Sequence, residues 1–160
     1  MQRYSSSTSV GLALVFLLGG GMPGFEPRFE QPAPLRFMAM TELKAGDRGH
    51  FFVDADINGR SIKVLVDTGA SAVALSYEDA QKAGLRPNTL DFDVPVSTAN
   101  GSVNAARAKL DRVEIDTVRV DNVDALVLPT GALNGTLLGM SFLSKLDSFK
   151  SEDGVLTLKN

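Results

Sequence analysis

The sequence predicts a mainly β single domain, a small closed or folded-over sheet with one or two short helices. Three observations predict it. Asn58-Gly59 and Asn100-Gly101 each lie between alternating or continuously apolar runs, the strongest short-range hairpin signal. Apolar alternation resumes over Leu110–Ile115, Val118–Leu128 and Val155–Leu158. Helical signals are confined to Ser76–Gly84 and to a short stretch after Gly139.

The first hairpin pairs His50–Ile57 with Arg60–Val66, and the second pairs Val94–Thr98 with Ser102–Ala108, its tip carrying small residues. Between them, Ser76 is placed to cap a helix whose first turn holds Glu78 and Asp79 and whose stop is Gly84. A second short helix is expected over Met140–Lys145.

A chain of 160 residues, 44% of them hydrophobic, has room for one compact domain and a tail. The domain is expected over residues 49–160. Residues 26–48 contain three prolines and mixed charge without a clear period, which reads as a linker. Residues 1–25 read as a targeting segment: no charge falls between Tyr4 and Phe25, and the apolar run Val10–Leu18 precedes three glycines and Pro23. It serves either as a retained anchor, placing an exported domain at the inner membrane on the periplasmic side, or as a signal whose cleavage releases a secreted domain.

The net charge of -3, with both signs interspersed, leaves no basic stripe for nucleic acid. With no cysteine, thiol chemistry, disulfides and thiolate metal sites are excluded. One histidine, His50, cannot build the usual zinc sets, so neither a metal nor another cofactor is expected. Asp54, Asp56, Asp111, Asp116, Asp121 and Asp124 fall at alternating strand or turn positions and read as solvated faces.

One acid differs. Val64-Leu65-Val66 runs straight into Asp67-Thr68-Gly69-Ala70-Ser71, so an apolar strand ends on a carboxylate and turns at once. Asp also caps ordinary turns, and the tripeptide Asp-Thr-Gly arises by chance in about one chain in thirty of this length. Its context narrows the reading. Leu65-Val66-Asp67-Thr68-Gly69-Ala70-Ser71, the later Leu137-Leu138-Gly139 before a short helix, and the intervening Asn100-Gly101 hairpin resemble, in that order, the retroviral-type aspartic proteases, closely the bacterial single-domain members with an amino-terminal membrane segment.

The resemblance implies a single-lobe, retropepsin-like acid-protease β-barrel assembling as a homodimer on protein or peptide substrates. It implies Asp67, Thr68 and Gly69 as the catalytic loop, Thr68 bonding across the dimer axis and Gly69 allowing close backbone approach. Ala70, the flap tip Asn100-Gly101 and Gly139 are implied on the substrate side, Gly139 packing near the catalytic loop. The chemistry needs two carboxyl groups. Hydrolysis without metal or covalent intermediate requires one group to take a proton from water while another gives one to the carbonyl oxygen, and two adjacent aspartates holding one proton do both. One Asp-Thr-Gly per chain means the second must come from another copy. The alternative is a catalytically silent dimer that binds or scaffolds at the membrane.

Overall fold

The structure, a computed structural model, describes residues 38–98 and 101–160; residues 1–25, most of the expected linker, and Asn100 lie outside the described residues. Among the described residues the strands are β1 (Met40–Lys44), β2 (Phe51–Ile57), β3 (Arg60–Val66), β4 (Val73–Leu75), β5 (Val94–Thr98), β6 (Gly101–Ile115), β7 (Val118–Val127), β8 (Thr136–Leu138), β9 (Ser148–Glu152) and β10 (Val155–Lys159). Two helices join them, α1 (Tyr77–Lys82) and α2 (Met140–Leu143).

Six strands close into a barrel in the order β2-β3-β8-β4-β7-β6, and β6 returns to β2 through Asp56 opposite Glu114 and Ile57 opposite Val113. Closure removes the sheet edges that would otherwise need covering. Alternation decides which side chains fill it: Ala55 and Ile57, Ile62 and Val64, Val73 and Leu75, and Ala125 and Val127 are buried. The small closed β-barrel with two short helices that the sequence predicts is therefore the architecture of the described residues.

Both aspects of the first Asn-Gly turn are visible. Asn58 and Gly59 take φ of 54° and 81°, the left-handed pair a two-residue hairpin requires. Asn58 is also a latch: its Oδ1 accepts from the Asp111 and Arg112 amides (2.9 and 3.2 Å), and its Nδ2 donates to the Ala83 carbonyl (3.2 Å). One turn residue thereby joins the β2–β3 hairpin, the middle of β6 and the end of α1. That helix is capped as its sequence suggests, with Ser76 Oγ accepting from the Asp79 amide at 3.1 Å and Gly84 at φ 80°.

The expected linker is corrected at its carboxyl end. Met40–Lys44 is strand β1, antiparallel to β10, with Thr41 and Leu43 buried and Ala39 already bonded to Asn160. Two inward residues, one of them threonine, are too few to show a period in sequence. β9 has the same character, with Phe149 its one half-buried residue. β4 and β8 have three residues each, below the length at which alternation is legible. Ser102–Ala108 and Leu110–Ile115 are not separate strands but parts of the unbroken fifteen-residue β6.

Replacing Asn58 separates its two roles. Asn58→Gly removes the side-chain bonds alone and is expected to cost about 1–3 kcal/mol. Asn58→Ala adds the left-handed backbone penalty, a further 1 kcal/mol or so. Urea midpoints of the two variants should rank in that order; equal midpoints would show that the backbone conformation carries no cost.

Candidate active site

The acid at the end of β3 is held by what lies beside the strand. β3 runs parallel to β8, with Val66 opposite Leu138, and the next amide, that of Asp67, donates to the Leu138 carbonyl at 3.1 Å. The chain then turns tightly. The Ala70 amide donates to the Asp67 carbonyl (3.2 Å), and the Gly69 amide donates to Asp67 Oδ1 (2.8 Å). A Cβ on Gly69 would stand 3.1 Å from that oxygen, tight enough to press on the carboxylate.

The start of α2 secures the far side of the loop. The Met140 amide donates to the Ala70 carbonyl at 2.8 Å. Ser141 Oγ accepts from the Val73 amide at 2.9 Å and donates to the Asp124 carbonyl at 2.6 Å, joining the start of β4, where the loop ends, to β7. Gly139 is buried beneath the loop, where a Cβ would overlap the backbone of Ala72 and approach the Ala70 carbonyl oxygen to 2.6 Å. The Leu-Leu-Gly run and the Asp-Thr-Gly loop are thus one packed unit.

Above this unit lies a cleft of about 560 Å³ whose floor includes Asp67, Gly69 and Ala70. Its walls are Leu126, Leu128, Leu133 and Leu137 together with Val96, Ser97 and Thr98 of the β5–β6 hairpin. Among the described residues lining it, Asp67 is the one that ionises. Asp67 and Ala70 are half-buried, while Thr68 and Gly69 are exposed.

The sequence-derived site residues are therefore divided. Asp67, Gly69 and Ala70 share the cleft floor, and Thr68 faces outward beside it. Gly139 and Gly101 are not among the described residues that line the cleft. Gly139 supports the loop from beneath because no side chain fits there. Gly101 pairs with Thr98, whose Oγ1 donates to the Gly101 carbonyl (2.8 Å), and it is exposed with φ 112°. Asn100 lies outside the described residues. His50 is exposed and packs edge-on against Phe52, their rings 6.3 Å apart. Among the described residues no three His, Asp or Glu side chains converge as a metal site would require.

Sequence reasoning missed Ser141 and the apolar walls. Leu126, Leu128 and Leu137 are single members of apolar strands, and nothing in an alternating pattern distinguishes the core face from a cleft face. The small-residue loop Gly131-Ala132-Leu133-Asn134, between two apolar runs, was the available signal.

A family model described as "gag-polyprotein putative aspartyl protease" matches residues 53–145, more than half of the chain and inclusive of the Asp67 loop and Gly139. The chain belongs to this aspartyl protease family. It is 46% identical over 112 residues to an uncharacterized protein in the cobV 5′ region of a Sinorhizobium species, covering 70% of this chain and 48% of that protein. The chain spans about half the length of the curated relatives it matches, 48% of each of two. The crystal structure of a retropepsin-like aspartic protease from Rickettsia conorii is similar with a TM-score of 0.69 at 36% identity, over 77% of this chain and 92% of that one. The EIAV protease, in its complex with an inhibitor, shares the fold, with a TM-score of 0.55 at 17% identity over 69% of this chain and all of that one.

The packing predicts a sharp effect at one glycine. Gly139→Ala forces backbone apart on both sides and should cost about 1–3 kcal/mol of stability, by overpacking. A thermal midpoint indistinguishable from wild type would show that the loop has room to yield.

Proposed function

We propose that this chain is an aspartic endopeptidase that hydrolyses peptide bonds with a water molecule activated between two Asp67 carboxyl groups, one from each copy of a homodimer. The observation that carries this reading is the charge content of the cleft: among the described residues, Asp67 is the one ionisable group lining it. One carboxyl group cannot act as base toward water and as acid toward the carbonyl oxygen in the same step. Two in contact share a proton, because double ionisation at short range is costly, and the pair then supplies both functions.

The surroundings support the same reading. Thr68 is exposed beside the acid, and among the described residues its hydroxyl makes no hydrogen bond, which leaves it available to a second copy. The leucines and Val96 of the cleft favour apolar side chains flanking the scissile bond, in a substrate bound extended. The β5–β6 hairpin closes over it and excludes water. Residues 1–25, as an anchor, would hold the domain at the outer side of the inner membrane and raise its local concentration, favouring a weak dimer.

Two measurements test the proposal. Cleavage of an unfolded protein substrate should be abolished by Asp67→Asn with folding unchanged, because the substitution keeps the shape and removes the proton acceptor. Retention of wild-type turnover by that variant would sink the assignment. Specific activity of the wild-type chain should fall on dilution as copies separate. Undiminished activity of a chain that sediments as a monomer would rule out a shared site.

A further inference from the structure

The outer face of β3 leads away from the candidate catalytic acid. Side chains alternate along a strand, so Lys63 and Leu65 share the outward face while Ile62 and Val64 are buried in the barrel. By the same alternation Asp67 continues the outward row, since its amide still bonds to the Leu138 carbonyl beside β8. Leu65 stands between Phe52 of β2 and Leu137 of β8, its register partners on either side. Phe52 is 54% exposed, an aromatic ring that the barrel leaves uncovered. These three side chains line a second hollow, of about 400 Å³. Leu137 and Asn134 line both this hollow and the cleft that holds Asp67, so the two spaces adjoin.

The charges of the hollow are unequally answered. Among the described residues its ionisable groups are Lys63, Asp79 and Lys82. Asp79 is buried and both its oxygens are used: Oδ1 accepts from Lys82 Nζ and Oδ2 from Thr136 Oγ1, each at 2.9 Å. Lys63 makes no ion pair with any described residue, although Asp54 lies opposite it in the β2–β3 register. Its ammonium group sits 5.9 Å from the centre of the Phe52 ring, a cation–π contact that keeps it beside the apolar floor. The hollow thus offers an apolar platform with one uncompensated positive charge, next to a cleft whose ionisable group is an acid.

We propose that this hollow is an exosite for the peptide substrate, in which Lys63 takes an acidic side chain of the same peptide that Asp67 cleaves while Phe52 and Leu65 support its apolar stem. The proposal rests on the aspartic protease reading above and adds a charge preference to it. Continuity with the cleft favours the substrate as the occupant, because a peptide leaving the cleft past Leu137 meets Leu65, Phe52 and Lys63 in turn. Spacing sets the position. Lys63 and Asp67 are four residues apart along one strand, about 13 Å at roughly 3.3 Å per residue, and an extended peptide on that face covers the same distance in about four residues. The acidic residue therefore belongs three to five positions from the scissile bond. A charge at the rim of a binding surface acts on association, so the preference should appear in KM and leave kcat unchanged.

The test uses the full-length chain and synthetic peptides that share one core, a site cleaved by the wild-type chain in an unfolded protein. The peptides carry Glu, Gln or Lys at the third to fifth positions from the scissile bond, on one side or the other. Wild-type kcat/KM should favour the Glu peptide over the Gln peptide about two- to fivefold, the range for an exposed ion pair. Lys63→Gln, which sets no like charge against Asp54, should erase that preference, and Lys63→Glu should turn it toward the Lys peptide. All three chains should cleave the bare core alike. A Glu preference that survives both substitutions, or no preference in a wild-type chain that cleaves the core, would overturn the exosite and leave the protease reading standing. Variants that need a higher protein concentration to cleave the bare core would place a second copy on this face, and would overturn it too. A wild-type chain that cleaves neither the unfolded protein nor any peptide, at any concentration, would instead remove the protease reading itself.

Discussion

Everything about the site depends on the contact between Gly139 and the loop that follows β3. No atom of a side chain separates the two backbones, and the Met140 amide and the Ser141 hydroxyl bond into the loop on either side of them. This fixes Asp67 without using its carboxylate: Oδ1 accepts a single amide bond from within the same turn, and the loop is held through main-chain groups. Main-chain strapping leaves the carboxylate fixed in position yet open to water. The barrel exists, in this sense, to bring β3 and β8 side by side in parallel so that strand ends and helix start meet.

The same constraint separates what was legible in sequence from what was not. Asp67-Thr68-Gly69 and Leu137-Leu138-Gly139 are readable because an apolar strand ends on an acid in the first and each holds a glycine where a Cβ would be crowded, Gly69 against the Asp67 carboxylate and Gly139 against the Ala70 and Ala72 backbone. The first hairpin is readable because Asn and Gly adopt positive φ at lower cost than most residues, as Asn58 and Gly59 do here. Capping made α1 readable, since Ser76 and Gly84 mark its two ends. Pairing partners were a different matter. That β3 should lie between β2 and β8, and β4 between β8 and β7, is decided by long-range packing that no local pattern records.

The edges of the molecule were the least visible part. β1 was hidden because its two buried residues follow a proline-rich stretch, and β9 because a strand at a sheet margin buries almost nothing.

The central claim is that hydrolysis needs Asp67 from both copies, and mixing tests it most directly. Wild-type chain would be combined with increasing amounts of the Asp67→Asn chain at fixed total concentration, allowed to re-equilibrate, and assayed for cleavage. If each active unit requires two aspartates and the copies pair at random, activity falls as the square of the wild-type fraction. Activity that falls in simple proportion to that fraction would mean each chain works alone, and would contradict the account.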